Sequence, residues 1–389
     1  MFPKLPIPIR VILDTIHEAG GEGYVVGGAV RDLLQGKVPT DWDLSATLPK
    51  EALLAAFQGA KDKGGRFGTV SVPCIQGDCD ITPCRSESDY QDHRHPETVQ
   101  FHGNILLDLL RRDFTVNAMA YNGEILIDPF DGQGDLQKGV LRCVGEPRER
   151  YSEDPLRILR LFRISATKGF KAELNTLNAA LEKADEISLL SHERVYKEVL
   201  KILMSSGPQA LGPLITKGAF SNYGFAYAPS LAALSRVPQD PLCRWWALMT
   251  LCGADPDVVS EAFCFNSYYR RELSECTRLY RAGPAKNRTE LKRKLRNTKL
   301  DYGPISASFA AISPYYVMEP VLYERILVWQ EPYRIEDLAV DGQLLEFEGI
   351  SGEMCGKVLN ELLSAVIKNP SLNRTSVLLG LARGLRQMM

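Results

Sequence analysis

The chain is poor in histidine, with five in 389 residues: His17, His93, His95, His102 and His192. No His-Asp doublet is among them, which excludes a histidine-rich metallophosphohydrolase domain. Neither sign of charge dominates: 46 Lys and Arg stand against 48 Asp and Glu, and a net charge of −2 excludes a globally basic nucleic-acid binder. A nucleic-acid partner would have to be held by local basic patches. Cysteine is scattered and odd in number, nine in all, a poor disulfide framework that suits a reducing compartment. Cys74, Cys79 and Cys84 recur every five residues without the C-x2-C pairing of a zinc site, and read as small buried hydrophobes. No apolar run approaches the roughly 18 to 20 residues of a membrane span. Residues 1–10 are too short and proline-broken for a signal peptide, so the chain is expected in the cytoplasm. Internal repeats and low-complexity tracts are absent.

What is there is the composition of an ordinary folded protein, 45% apolar and 24% charged, on a chain long enough for two to four units. Residues 24–47 organise it: Y-V-V-G-G-A-V-R-D-L-L-Q-G-K-V-P-T-D-W-D-L-S-A-T. Tyr24, Val25 and Val26 read as a short buried strand, Gly27-Gly28 as a tight turn, and 29–34 as a helix that Gly36 can end. Glycine lets the backbone approach a phosphate, and the free N–H groups of a helix start favour negative charge. Asp41-Trp42-Asp43-Leu44 follows, and in a strand residues i and i+2 share a face roughly 7 Å apart. Paired carboxylates beside a phosphate cradle are what metal-dependent nucleotidyl transfer needs. They are hard ligands for Mg2+, which can lower the pKa of an attacking hydroxyl and stabilise a leaving pyrophosphate. Alone, Gly-Gly is an ordinary turn and Asp-x-Asp a solvated loop; the two at this separation carry the weight.

Residues 8–19 read as a leading amphipathic helix ended by Gly20-Gly21, 49–57 as another, and 67–72 as a strand leading towards Cys79-Asp80-Ile81-Thr82. The segment 85–110 begins polar and without a period, and is expected as a loop that is either disordered or moves during function. Arg111-Arg112 opens R-R-D-F-T-V-N-A-M-A, which reads as a helix from near Asp113. The arginines are either a clamp for triphosphate and ribose or a bland surface pair. Residues 125–130 form a last strand, D-P-F-D-G-Q-G-D-L a turn, and from Tyr151 onward the chain reads as helical. Ser152 is an expected N-cap for a helix carrying Asp154, Arg157 and Arg160 on one face, whose plain alternative is a set of surface salt bridges. S-H-E-R-V-Y-K-E at 191–198 opens an architectural helix, and 229–234, 241–251 and 258–280 read as less distinctive ones. Within 285–299, Lys292, Arg293, Lys294 and Arg296 make the best candidate for an RNA phosphate contact, the alternative being a solvated helix face. Residues 335–345 precede a last helical pair.

Gly-Gly, a short helix, then Asp-x-Asp resembles the signature of the polymerase-β-like nucleotidyltransferases. The ordered set G-G-A-V-R-D, D-W-D, R-R-D-F-T-V-N-A-M-A, D-P-F-D-G, E-D-P-L-R-I-L-R and S-H-E-R-V-Y-K-E closely resembles the class II tRNA nucleotidyltransferases, the CCA-adding enzymes. The likeness is strong over 20–205 and weaker through L-A-V-D-G-Q-L-L. It implies an α+β head with a small mixed β-sheet, the polymerase-β-like palm, followed by all-α neck, body and tail domains. The expected bounds are 1–145 for the catalytic head, 146–205 for the base-reading neck, and 206–320 and 321–389 for a tRNA-binding body and tail. It further implies Asp41 and Asp43 as catalytic ligands of Mg2+, Gly27, Gly28 and Arg31 on the triphosphate, and Arg111 on the sugar. Asp154 and Arg157 would read the base, with Asn117 and Arg160 in the same nucleotide site. Asp80 takes the place of a possible third carboxylate, although Pro83-Cys84 after it departs from the threonine and aromatic or aliphatic residue usual in relatives. The partners implied are tRNA, CTP and ATP, with no membrane; nothing in the sequence sets the oligomeric state.

Chemistry supports the base-reading pair independently. Cytosine and adenine both present an exocyclic amine beside a ring-nitrogen acceptor, which a carboxylate plus a guanidinium matches. Uracil and guanine present a carbonyl beside an N–H, and would leave polar groups unpaired at a cost of a few kcal/mol. Within the family, the F-G-T-V form at 67–70 is that of the tRNA enzymes rather than the arginine-rich form of bacterial poly(A) polymerases. The full-length 85–110 segment favours complete CCA addition, with an A-adding specialist and a poly(A) polymerase as alternatives. A catalytically inactive RNA-binding relative is the alternative of another class, and retention of the whole residue set argues against it.

Overall fold

The computed structural model describes residues 4–63, 68–74, 77–90, 96–101 and 103–388, so Phe67 of the F-G-T-V stretch, the 91–95 piece of the expected loop, His93, His95 and His102 lie outside the described residues. The chain forms two compact units, Met1–Asn222 and Tyr223–Met389.

The first unit opens with α1 (Ile7–Glu18), which buries Ile9, Ile12, Leu13 and Ile16 at helical spacing and stops where Gly20 takes φ 86°. There follow β1 (Gly23–Val26), α2 (Gly28–Leu34), β2 (Asp43–Ala46), α3 (Lys50–Ala56), β3 (Lys61–Asp62), β4 (Val70–Cys74), β5 (Gly77–Pro83), β6 (Arg85–Tyr90), β7 (Pro96–Phe101) and α4 (Ile105–Leu110). Next come β8 (Ala120–Tyr121), β9 (Leu126–Ile127), α5 (Gly132–Lys138), β10 (Val140–Leu141), α6 (Pro147–Glu153), α7 (Leu156–Lys168), β11 (Lys171–Ala172), α8 (Leu174–Glu182), α9 (His192–Leu203) and α10 (Gly212–Thr216). Among the described residues seven strands make one sheet in the order β3-β4-β5-β2-β1-β8-β9. It is mixed: β2 and β5 run parallel, with Asp43 opposite Asp80, while β1 is antiparallel to both β2 and β8. Every residue of β1 is buried, as a strand covered on both faces requires. Beyond the sheet, α7 packs Ile158, Leu161 and Phe162 inward near Val195, Val199 and Ile202 of α9.

Several expectations need correction. Among the described residues the 85–110 segment is not a loop: β6 and β7 pair antiparallel and α4 follows. Ladder hydrogen bonds come from the backbone, so a polar strand pairs without an apolar period to announce it. R-R-D-F-T-V-N-A-M-A is not a helix but the end of α4, a 3-10 turn at Thr115–Asn117 and the approach to β8. Phe114, Val116, Ala118, Met119 and Ala120 are all fully buried, so there is no polar side and hence no helical stripe. Ser152 lies inside α6 instead of capping a helix, because α6 has already begun at Pro147 and ends before Pro155, which lacks an N–H. D-P-F-D-G-Q-G-D-L turns and then enters α5. Asp41 precedes β2 rather than lying in it.

The second unit is helical among the described residues: α11 (Pro241–Cys252), α12 (Pro256–Ala262), α13 (Ser267–Arg281), α14 (Arg288–Leu295), α15 (Tyr302–Ile312), α16 (Met318–Val328), α17 (Gly342–Phe347), α18 (Gly352–Lys368) and α19 (Thr375–Met388). The expected helix at 258–280 is two, broken where Cys264 adopts φ 54° and Asn266 caps α13 by accepting from the Tyr269 N–H at 2.8 Å. Residues 232–236 form a 3-10 turn. Trp245 packs against Phe263 and Phe265, and Trp246 against Tyr280 and Phe309. A separate apolar cluster joins Leu345, Val358, Leu362, Val366 and Leu378.

Candidate active site

The end of β1 runs into Gly27, whose φ of 70° favours glycine. A Cβ there would lie 2.9 Å from Arg112 Nη1 and 3.7 Å from Asp43 Oδ2, so the missing side chain is what lets a guanidinium and a carboxylate close in on the turn. The turn opens on a cavity of about 880 Å3. Into it converge Gly27, Gly28, Arg31, Asp41, Asp43, Arg111, Asn117, Asp154, Arg157 and Arg160, every residue expected for catalysis or nucleotide contact. The Asp41 and Asp43 side chains are exposed at its edge and have no hydrogen-bond or ion-pair partner among the described residues. Hard oxygen donors left unpaired beside several arginines fit a divalent cation whose remaining ligands are waters and phosphate oxygens. Asp80 stands next to Asp43 in register but does not line the cavity; both of its oxygens accept from Lys63 Nζ, at 3.0 and 2.8 Å.

Around the turn the cations are held by buried acids. Asp108, fully buried in α4, accepts from Ser45 Oγ at 3.2 Å, Arg111 Nη2 at 2.6 Å and Arg112 Nη2 at 3.0 Å. Burial alone would raise its pKa, but the two guanidinium charges win and hold it below the usual carboxylate range. Asp113 accepts from the Phe114 N–H at 2.8 Å, Asn117 Nδ2 at 3.1 Å and Arg160 Nε at 2.7 Å. Here too burial opposes ionisation, and the Arg160 charge with these donors overcomes it and brings the pKa down to about 2. Asn117 in turn accepts from Arg31 Nη1 at 2.6 Å.

Asp154 and Arg157, which also line the cavity, do not pair with each other. Asp154 accepts from Arg194 Nη2 of α9 on both oxygens, at 3.1 and 3.0 Å, and from the Leu156 N–H at 3.1 Å. Arg157, 8% exposed, donates to the carbonyls of Arg150 and Arg111 at 2.9 and 3.1 Å and pairs with Glu153. Each is therefore fixed by a third party, and neither is a simple i, i+3 surface pair.

Residues 23–142 match the family model described as "Poly A polymerase head domain", and 169–220 one described as "Probable RNA and SrmB- binding site of polymerase A". The first of these matches covers the sheet and the glycine turn, the second the helices that follow. Among curated proteins it is 40% identical over 199 residues to the CCA-adding enzyme of Ligilactobacillus salivarius, covering 51% of this chain and 49% of that one. It is 34% identical over 259 residues to that of Levilactobacillus brevis, covering 64% and 65%. The chain thus spans between about half and just under two-thirds of the length of the curated relatives it matches. Among solved structures, the Bacillus stearothermophilus CCA-adding enzyme in complex with CTP superposes with a TM-score of 0.78 at 24% identity, covering 99% of this chain and 100% of that one. The Thermotoga maritima CCA-adding enzyme complexed with tRNA gives 0.71 at 20%, covering 97% and 94%. At such identities the likeness establishes the fold, an α+β palm-like head followed by helices.

Within the first unit, two contributors to the site were missed in the sequence, and a third, Arg112, was read only as half of a possible arginine clamp. Arg112 reaches the Gly27 turn, Arg194 holds Asp154, and Lys168 sits 3.1 Å from Asp32. The S-H-E-R-V-Y-K-E helix carried the signal for Arg194: Arg194 and Glu198 are four apart, one helical turn, and meet Asp154, just before α7, and Arg163 of α7, the latter at 2.6 Å. The basic run, by contrast, is not a continuous exposed face. Lys292 is 1% exposed and ion-paired with Glu331 at 2.8 Å, and Lys294 is paired with the buried Glu319 at 2.8 Å. Only Arg293 is exposed and Arg296 half-buried, so two of the four expected RNA contacts face the protein's own core.

Proposed function

We propose that this protein is a CCA-adding tRNA nucleotidyltransferase, which transfers C, C and A from CTP and ATP to the tRNA 3' end and releases pyrophosphate. The observation that carries the reading is the convergence of the phosphate turn, the unpaired carboxylates and the Asp154/Arg157 end in one cavity. Asp41 and Asp43 would hold Mg2+, which supplies activation of the attacking 3'-hydroxyl and neutralises charge on the leaving pyrophosphate. Gly27 and Gly28 admit the triphosphate to the backbone, and Arg31 grips it with the donors that Asp32 and Asn117 leave free. Arg111, steadied by Asp108, faces the sugar. Asp154 accepts the exocyclic amine common to C and A, and Arg157 donates to the adjoining ring nitrogen. Both are clamped before substrate arrives, so little ordering remains to be done on binding. The neck (146–205) carries this template, and the body (206–320) and tail (321–389) hold the tRNA.

The test offers each NTP separately, with Mg2+, to tRNA transcripts ending at the discriminator base, at C and at CC, and to an oligo(A) primer. CMP on the first two, AMP on the third and nothing on oligo(A) is the expected pattern. AMP confined to the CC transcript identifies an A-adding specialist, a tail on oligo(A) a poly(A) polymerase, and no incorporation an inactive head.

A further inference from the structure

Arg160 and Lys168 lie on the same helix, α7, eight residues and roughly 12 Å apart along its axis. A closed chain of side-chain contacts leaves the helix at one and returns at the other. Arg160 Nε donates to Asp113 at 2.7 Å, Asp113 accepts from Asn117 Nδ2 at 3.1 Å, and Asn117 Oδ1 accepts from Arg31 Nη1 at 2.6 Å. Arg31 Nε donates to Asp32 Oδ1 at 3.1 Å with Nη2 at 3.0 Å, and Lys168 Nζ donates to the same Asp32 at 3.1 and 3.4 Å. Most of the ring is withdrawn from water, its side chains being 7% exposed at Asp113, 9% at Arg31, 18% at Asp32 and 27% at Lys168, with Arg160 the most open at 38%.

Arg31 has five N–H donors in a rigid fork. Asp32 takes the Nε edge and Asn117 one Nη1 hydrogen, which fixes the guanidinium plane and leaves one hydrogen on each Nη. The Arg31–Asp32 pair on its own is neutral and a poor anion site. With Lys168 on the far side of Asp32, two cations share one carboxylate, and the cluster faces the cavity with a net positive charge. We propose that Lys168 and Asp32 are positioning residues for Arg31, which set its aim and its charge for the triphosphate of the incoming nucleotide whatever base it carries. This rests on the nucleotidyl-transfer reading above for the identity of the anion. Because both ends of the ring are anchored on α7, the helix that also carries Arg157, the phosphate grip and the base template share one rigid element.

The test uses a probe with neither base nor sugar. Binding of CTP and of tripolyphosphate, each with Mg2+, is measured on the full chain by calorimetry for wild type, Lys168→Met and Lys168→Arg, with melting temperatures alongside. Lys168→Met is expected to weaken both ligands by the same factor, about fivefold or more, because the lost interaction is with phosphate alone. Lys168→Arg, which can still donate to Asp32, is expected to restore both. Lys168→Gln replaces Lys168→Met if the latter does not fold. Unchanged tripolyphosphate affinity overturns the proposal whether or not CTP affinity falls, as does a wild-type chain that binds neither probe. A chain that binds tripolyphosphate in this Lys168-dependent way yet incorporates no nucleotide supports the positioning role while refuting the transferase reading.

Discussion

Asp154 has two neighbours that sequence spacing suggests, Arg157 and Arg160, and pairs with neither; its partner is Arg194, forty positions on. That choice makes a sharp expectation. If Asp154 accepts the exocyclic amine, Asp154→Ala removes both the attraction for C and A and the repulsion of the U and G carbonyl. CTP and ATP use should fall while UTP and GTP incorporation rises relative to them, as read by single-nucleotide extension. Arg194→Ala should give a weaker copy of the same loss of discrimination, since it frees the carboxylate without removing it. Equal slowing of all four nucleotides by Asp154→Ala would make the residue structural. Asp113 gives a second expectation, in stability against pH. Its folded pKa of about 2 lies below the ordinary 3.8, so its contribution is fully present above the unfolded value and is lost as pH falls through about 2. A shift of this size corresponds to about 2 kcal/mol. Asp113→Asn should therefore lower unfolding free energy at neutral pH by an amount of that order and flatten its decline on acidification, measured by urea unfolding across that range.

Among elements, α14 shows how one helix divides its charges. Lys294 reaches the fully buried Glu319, which also accepts from the Ala285 N–H at 2.7 Å and from the Tyr302 hydroxyl, in the company of Phe309 and Tyr316. Burial pushes the Lys294 pKa down, opposed by Glu319. Lys294→Met leaves Glu319 without its cation and should destabilise the second unit by about 3–5 kcal/mol, seen as a lower melting temperature. Arg293→Ala with Arg296→Ala should leave stability nearly unchanged and reduce the salt dependence of tRNA binding by up to about one counterion per contact. An unchanged slope would make α14 a packing element alone. The same helix shows why its reading from sequence failed: composition counts charges but not the direction in which a buried acid elsewhere draws them. Elements with an apolar stripe, α1, α7 and α9, and the β1–α2 turn were legible because period and glycine placement are local properties. The β6–β7 pair was not, since its pairing is made by backbone groups that every residue carries. Residues 113–120 misled because burial on all sides erases the period that separates helix from strand. In the site, the residue types and their order pointed to the cavity, whereas the partners that orient them, Arg194, Lys168 and Asp108, come from contacts between segments distant in sequence.

At the scale of the molecule, each unit has its own apolar interior, and all the residues assigned to the nucleotide lie in the first. A chain ending at Asn222 should therefore unfold cooperatively and bind CTP with Mg2+ about as well as the full chain, while losing most of its affinity for tRNA. Calorimetry and filter binding on the two proteins check this, and a fragment with native tRNA affinity would place the RNA contacts in the first unit instead. No helix among the described residues is long and apolar enough to cross a membrane.

The sheet order has a consequence for the life of the chain during synthesis. Strand β1 pairs through Val25 with Leu44 on one side and with Tyr121 on the other, so translation exposes the Gly-Gly turn, Asp41 and Asp43 long before the second neighbour emerges. Until then β1 presents an open, apolar edge, the kind of surface that recruits foreign strands and that chaperones cover. Asp154 gains its partner later still, when Arg194 arrives to hold it. On the proposed reading, a nascent chain halted anywhere before α9 would carry the phosphate turn without a finished template, and would hold a nucleotide without regard to its base.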